Sequence, residues 1–251
     1  KGLDKEHEVF GDYSIIDGAA IQQFRDAMSY AHAVKGALMP DAHLGYSLPI
    51  GSAVATQGVI VPAWVGYDIG CGMCAIPTTF SRDEIHQHQA EIHAAIHKEI
   101  PVGNSKRKEG LRMFDLEIKP HSSVVNDAIG IRDAWKQIGT LGSGNHFIEV
   151  GHDTKDKVWI IIHSGSRGVG HQVAGTYMKK AAELQGVTKG NFEGNYGLDV
   201  NSPLGKDYIK DMAWCLDYAL ANRRVMLHGV YQALHDLGLS GSFLWSELIN
   251  R

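Results

Sequence analysis

Val59-Ile60-Val61-Pro62-Ala63-Trp64-Val65-Gly66-Tyr67-Asp68-Ile69-Gly70-Cys71-Gly72-Met73-Cys74-Ala75-Ile76 is the stretch on which the reading of the chain turns. An apolar run, residues 59–65, delivers the chain to a segment with glycine at 66, 70 and 72. Pro62 within that run fits an edge, a bulge or a strand end, because proline cannot donate to a sheet ladder. Asp68 and Cys71 stand three apart among the glycines, which admit positive φ and close backbone approach, so the segment can wrap tightly around something small. A carboxylate and a thiolate in such a wrap can share a divalent cation, the first as hard donor and the second as soft. By itself the pair is better read as a Gly-rich turn with a buried structural cysteine. Two donors are half a site, and the others have to come from elsewhere.

Residues 144–168 supply a second signal. Asn145-His146-Phe147-Ile148-Glu149-Val150 and Val158-Trp159-Ile160-Ile161-Ile162-His163 read as two strands joined by a polar connection. A hairpin symmetric about residues 154 and 155 puts His146 directly opposite His163, with Cβ atoms about 4.5–5.5 Å apart on one face. Two imidazoles so placed can hold one ion or two neighbouring ions; the alternative is a buried pair with structural hydrogen bonds. Ser164-Gly165-Ser166-Arg167-Gly168-Val169-Gly170 follows at once and leads into a helix ending near Leu184. Small residues before a helix N-terminus present backbone N–H groups to an anion, and Arg167 adds a planar fork; a simple turn is the other reading. The loop is not of Walker type, since no Gly-Lys-Ser/Thr ends it.

Around these two signals the pattern is mixed. Residues 1–16 are polar and then β-like at Tyr13, Ile15 and Ile16, and Asp17 caps a helix predicted to reach about Val34, with Ile21, Phe24, Met28 and Ala31 on its apolar face. Met39-Pro40-Asp41-Ala42-His43-Leu44-Gly45 reads as a loop and residues 50–61 as a strand. Ser81-Arg82-Asp83-Glu84 is a capping box opening a helix to about Ile100, which carries a core stripe at Ile85, Ile92 and Ile96 and a solvated flank at His86, His93 and His97. Lys106, Arg107 and Lys108 form a basic cluster in a loop-like segment, either a solvated charge run or a contact to a phosphate backbone. Helices are expected over about 122–138 and 203–237, an irregular loop over 186–201, and a strand beginning at Phe243-Leu244-Trp245.

The composition sets bounds. The 251 residues are long enough for one large domain or two small ones; one domain over 1–251 is expected. A hydrophobic content of 44% and a charged content of 21% are those of a soluble globular protein, and a net charge of −4 gives no global signal for nucleic acid, so any polyanion has to be met by a local patch. Three cysteines, at 71, 74 and 215, are too few for a disulfide framework and favour a reducing, cytoplasmic compartment. Cys71 and Cys74 make a Cys-x-x-Cys pair with no second pair to complete a zinc knuckle. No apolar run reaches membrane-spanning length, and residues 1–4 do not open a signal peptide. The chain starts without Met and stops at Ile249-Asn250-Arg251, which is expected of a fragment.

Taken together and in this order, GYDIGCGM, LGSGNHFIEV and HSGSRGVG resemble the RtcB-type RNA ligases, a family of tRNA-splicing and RNA-repair enzymes, and the 39–45 loop with Ile50-Gly51-Ser52 fits the same family. The resemblance implies an α/β (α+β) fold in which sheets and helices enclose a deep two-metal site. It implies joining of RNA 3′-phosphate or 2′,3′-cyclic phosphate ends to 5′-hydroxyl ends with GTP and two Mn²⁺ ions, Zn²⁺ being a possible substitute, through protein–GMP and RNA-ppG intermediates. By position it assigns Asp68, Cys71, His146 and His163 as metal ligands, with Cys71 bridging. It also assigns Asn145 to nucleotide or RNA phosphate, Glu149 to the guanine and Arg167 to substrate phosphate. The family's guanylylated histidine stands in a His-Gly-Ala-Gly-Arg-like motif that does not occur in these 251 residues. The chain is accordingly expected to be the N-terminal and central part of the ligase domain. A metal-dependent phosphoesterase acting on RNA ends or nucleotides, and a catalytically silent RNA-end binder, are the rival readings.

Overall fold

The computed structural model describes residues 5–12 and 14–251, so the expectations for Tyr13 and for residues 1–4 lie outside the described residues. The architecture is mixed α/β. In chain order, β1 (Glu6–Val9), α1 (Gly18–Ser29), β2 (Ala33–His43), β3 (Ile50–Thr56), β4 (Val59–Ile60) and α2 (Pro62–Val65) lead to β5 (Gly72–Pro77). Next come α3 (Arg82–Gln87), α4 (Gln89–Glu99), α5 (Phe114–Glu117), α6 (Ser123–Arg132), α7 (Ala134–Gln137), and the hairpin β6 (Phe147–His152) and β7 (Val158–Ser164). The chain closes with α8 (Arg167–Leu184), β8 (Leu198–Asp199), α9 (Pro203–Asp236) and β9 (Ile249–Asn250). Among the described residues no helix is long and apolar enough to cross a membrane. Two compact units emerge, residues 1–67 with 174–210 and residues 68–173 with 211–251.

In the first unit β2 is central, parallel to β1 and antiparallel to β3. Asp17 accepts from the Ala19 N–H at 2.9 Å and starts α1, whose Phe24 and Met28 are buried against Leu38. Gly36 of β2 makes that packing possible, since a β-carbon there would overlap the Phe24 ring and the Met28 sulfur. The helix stops at Ser29 rather than near Val34, because Ala33 is already paired with Thr56. Residues 39–43 belong to β2 and are not loop; Pro40 is tolerated there because the ladder to β3 is interrupted between Leu38 and His43. Ile15 and Ile16 lie in a turn and a bend, and the strand of this region is β1. The apolar run 59–65 is a strand only at β4, which pairs with β8. Pro62 opens the one-turn helix α2, where its missing N–H is no loss.

The second unit is built on an antiparallel sheet ordered β6-β7-β5-β9. One face carries Cys74, Ile76, Ile160 and Ile162 into a core shared with Ile92 of α4 and with Met226, Leu227 and Val230 of α9. The Ser81 half of the capping box forms, its hydroxyl accepting from the Glu84 N–H, but the expected helix to Ile100 breaks at His88 into α3 and α4. The helix expected over 122–138 is likewise divided, by Asp133 with φ 52°. Phe243 makes a single bridge to Thr78 instead of starting a strand, and Trp245–Glu247 is a 3₁₀ turn that leads into β9. The hairpin register also differs by one residue from the symmetric expectation. Phe147, not His146, is opposite His163, which leaves His146 just outside β6.

Candidate metal centre

Three strands of the second unit begin or end together: β5 starts at Gly72, β7 ends at Ser164, paired with Gly72, and β6 starts at Phe147, paired with His163. The residues at these ends are the ones the sequence singles out. Cys71 immediately precedes β5, His146 immediately precedes β6, and His163 is the penultimate residue of β7. The Cys71 Sγ lies 3.4 Å from His163 Nε2 and 3.7 Å from His146 Nε2, and the two rings meet edge to face at 5.4 Å. One donor atom from each of the three lies within 4.8 Å of the others. Asp68 joins through His146, its Oδ2 lying 2.9 Å from Nε2. All four side chains therefore converge, and they do so without the opposed histidine pair the symmetric hairpin predicts. His146 arrives from a loop end and His163 from a strand.

The hydrogen bonds around the rings aim them. His146 Nδ1 is 2.9 Å from the Leu141 carbonyl, and His163 Nδ1 is 3.2 Å from the Gly72 carbonyl. A carbonyl only accepts, so each Nδ1 carries the proton and each ring turns Nε2 toward Cys71, the arrangement that backs metal-ligating histidines. Both nitrogens of His146 thus face oxygen acceptors. A proton or a cation has to stand between Nε2 and the Asp68 carboxylate. Two imidazoles, a thiol and a carboxylate are a donor set that fits a divalent transition ion.

Electrostatics supports that fit at Asp68 and His163 and opposes it at Cys71 while no cation is present. Burial pushes the Asp68 carboxyl up, but the hydrogen bond and charge of His146, with lesser help from Cys71 and Arg167, bring it below its ordinary value. The Cys71 thiol is pushed up to about 12, by burial first and then by the Asp68 charge and hydrogen bond, against the opposing charge of Arg223. His163 is lowered by burial and then by His146, which favours the neutral ring that can bind metal. Cys74 points into the core and is pushed up to about 11 by burial; it is the structural cysteine of the pair.

The other residues singled out by sequence are distributed as follows. Asn145 and Glu149 are exposed, and Glu149 shares the sheet face of His163 because Glu149 pairs with Ile161. Arg167 sits at φ 57°, its Nε donating to Thr140 Oγ1 at 3.2 Å and its Nη2 to the Gly103 carbonyl at 3.1 Å. The Gly168 N–H donates to Gln137 Oε1 at 2.9 Å, and Gly165 lies against the Asp68 carboxylate with no room for a β-carbon. His86, His93 and His97 are exposed on their helices and take no part in the cluster. In the basic run, Lys106 pairs with Asp133 at 2.7 Å and Arg107 with Glu99 at 3.6 Å. His43 belongs to the first unit, with Nδ1 on the Asp41 carbonyl at 2.9 Å. Sequence reasoning misses Asn222 and Arg223, which are buried on α9. Their signal is spacing: Cys215, Ala219, Asn222, Met226 and Val230 recur at three and four residues, so Asn222 falls on the buried stripe.

Thiol, imidazole and carboxylate donors gathered at one end of an antiparallel sheet define a candidate metal centre on a mixed α/β frame. The chain belongs to the RtcB family: the family model described as tRNA-splicing ligase RtcB matches residues 23–129 and 115–242. It is 36% identical over 225 residues to the RNA-splicing ligase RtcB of Escherichia coli K12, covering 80% of this chain and 53% of that protein. It is 31% identical over 280 residues to RNA-splicing ligase RtcB homolog 1 of Entamoeba dispar, covering 92% and 52%. It is also 31% identical over 250 residues to the tRNA-splicing ligase RtcB of Thermococcus kodakarensis, covering 80% and 52%. The chain spans about half the length of the curated relatives it matches.

Proposed function

We propose that these 251 residues are the N-terminal and central part of a single cytoplasmic RNA-ligase domain and contribute its metal centre. The reaction is the joining of RNA 3′-phosphate or 2′,3′-cyclic phosphate ends to 5′-hydroxyl ends with GTP, by way of protein–GMP and RNA-ppG. The observation that carries this reading is the convergence of Cys71, His146 and His163, with Asp68 bonded to His146. Asp68, His146 and His163 would hold the Mn²⁺ ions together with Cys71, whose Sγ lies within 4 Å of both imidazoles. Ions held there would supply neutralisation of phosphate charge for the transfer. The chain's own residues do the rest of the holding. Arg167 meets phosphate oxygens, Asn145 at the mouth of the hairpin meets nucleotide or RNA phosphate, and Glu149 on the His163 face accepts from the guanine edge.

The test is titration with Mn²⁺ or Co²⁺, followed by GTP and by RNA carrying a 2′,3′-cyclic phosphate. The expected result is an ion-dependent GTP complex and, in the longer ligase chain, an acid-labile protein–GMP adduct followed by joined RNA. Release of GMP or phosphate without joined RNA would replace the ligase with a phosphoesterase. Metal binding with no nucleotide binding would leave an RNA-end binder.

A further inference from the structure

Asn222 and Arg223 are neighbours on α9, 0% and 1% exposed, in a stretch that otherwise packs as apolar core. A buried guanidinium is costly unless its donors are taken, and here backbone carbonyls take one nitrogen and a side-chain amide another. Arg223 Nη1 donates to the Gly70 carbonyl at 2.9 Å and to the Ser164 carbonyl at 2.8 Å, and its Nε donates to Asn250 Oδ1 at 2.8 Å. Asn222 Nδ2 reaches the Gly165 carbonyl at 3.1 Å and the Thr140 carbonyl and Ser164 Oγ, each at 3.3 Å, while its Oδ1 accepts from the Gly139 N–H at 2.7 Å.

Two of these partners adjoin a donor of the metal centre, and a third leads to the carbonyl that holds one of its rings. Gly70 precedes Cys71, and Ser164 follows His163. Thr140 precedes Leu141, whose carbonyl holds His146 Nδ1 and also accepts from Ser164 Oγ at 2.8 Å. The ladder between β5 and β7 ends at Gly72 and Ser164, so it does not reach Gly70 or the 139–146 segment. What spans all three donor-bearing segments is one turn of a 34-residue helix. We propose that Asn222 and Arg223 are positioning residues of the centre, fixing the relative placement of the Cys71, His146 and His163 segments so that the donors stand together before an ion arrives. This rests on the metal reading above, and neither residue touches the ion or substrate.

A purely structural pair would stabilise the fold and leave the affinity of the folded protein for metal unchanged. The two roles separate in a Co²⁺ titration of the full-length protein, read by thiolate-to-cobalt absorption, alongside the melting temperature of the metal-free form. Arg223→Gln and Asn222→Ser are expected to bind Co²⁺ about 10–100-fold more weakly, the range for groups that orient ligands from behind. Their absorption bands should also be altered. Arg223→Lys should recover part of the affinity, since an ammonium reaches one or two of the carbonyls but cannot also hold Asn250. Variants that melt earlier yet bind Co²⁺ with wild-type affinity and spectrum overturn the proposal. If Arg223→Gln does not fold, Asn250→Ala, which removes the acceptor of Nε along with a donor to the Leu220 carbonyl of the same helix, is read in its place: a severalfold loss supports the proposal and unchanged affinity overturns it. A wild-type protein that takes up no Co²⁺ overturns the metal reading itself, which is visible before any variant is compared.

Discussion

His163 Nε2 lies 3.4 Å from Cys71 Sγ, although the ladders pair His163 with Met73 and Phe147. The contact arises because the chain curls just before β5, the Cys71 N–H donating to the Asp68 carbonyl at 2.9 Å, and this turns the thiol over the end of the sheet. Cys71 is an exposed residue outside the core whose sulfur alone is shielded by the cluster, so its replacement should spare the fold. Cys71→Ala is expected to abolish stoichiometric uptake of Co²⁺ at micromolar ion while shifting metal-free stability by no more than about 0.5 kcal/mol. Equilibrium dialysis and a urea melt check both halves. Retention of the ion by the variant would remove the thiolate from the centre.

Metal affinity should rise with pH. With its pKa pushed up to about 12, the Cys71 thiol keeps its proton at neutral pH in the metal-free protein, and binding has to expel it. His163, lowered by burial and by His146, has no proton to lose near neutrality. Affinity should therefore climb about tenfold or more per pH unit around neutrality, and fall correspondingly on acidification. Calorimetry of Co²⁺ binding in buffers of different ionisation heat counts the protons released. A pH-independent affinity between about pH 6.5 and 8 would contradict the thiol as a ligand.

That Asp68, Cys71, His146 and His163 come together was legible in the sequence because their signals are local: glycines around Asp68 and Cys71, and two β-patterned segments bounded by His146 and His163. The register was not, since symmetry about a connection ignores its turn, and Asp156 with φ 61° helps set a register one residue away. Pro62, the break at His88 and the division at Asp133 are local backbone choices that apolar periodicity does not see. Arg223 was hidden for a different reason. A long amphipathic helix reads as core, and which of its polar residues turns inward depends on carbonyls more than a hundred residues away in sequence for Gly70.

Two glycines should respond oppositely to alanine. At Gly165 a β-carbon would overlap the Asp68 carboxylate, so Gly165→Ala must move the carboxylate or the 164–168 turn. The expected cost is about 1–3 kcal/mol of stability together with weakened metal binding. At Gly130, inside α6, nothing lies within 4 Å of the added carbon. Gly130→Ala should raise stability by about 0.4–1 kcal/mol and leave metal binding alone. Chemical denaturation and a Co²⁺ titration of the two proteins decide the matter, and a Gly165→Ala protein with wild-type affinity would show that Asp68 need not sit where it does.

Arg167 should separate phosphate binding from metal binding. Its guanidinium is anchored through Thr140 and Gly103, and its charge helps hold the Asp68 carboxyl low, so it stands beside the centre without offering the ion a donor. Arg167→Ala is expected to weaken GTP or RNA-phosphate binding by about tenfold or more, the scale of a lost charge-assisted pair, with metal content unchanged. The backbone adds a control. At φ 57° a side chain is strained, so Arg167→Gly removes the same guanidinium while relieving about 1 kcal/mol of that strain. Alanine and glycine should then lose phosphate affinity equally but differ in stability, glycine being the more stable. Arg167→Lys should recover little, because an ammonium keeps the charge without the fork. Nucleotide and Co²⁺ titrations on the three variants test this directly. Loss of the metal with phosphate affinity intact would mean that the 164–168 turn serves the ion and not the anion.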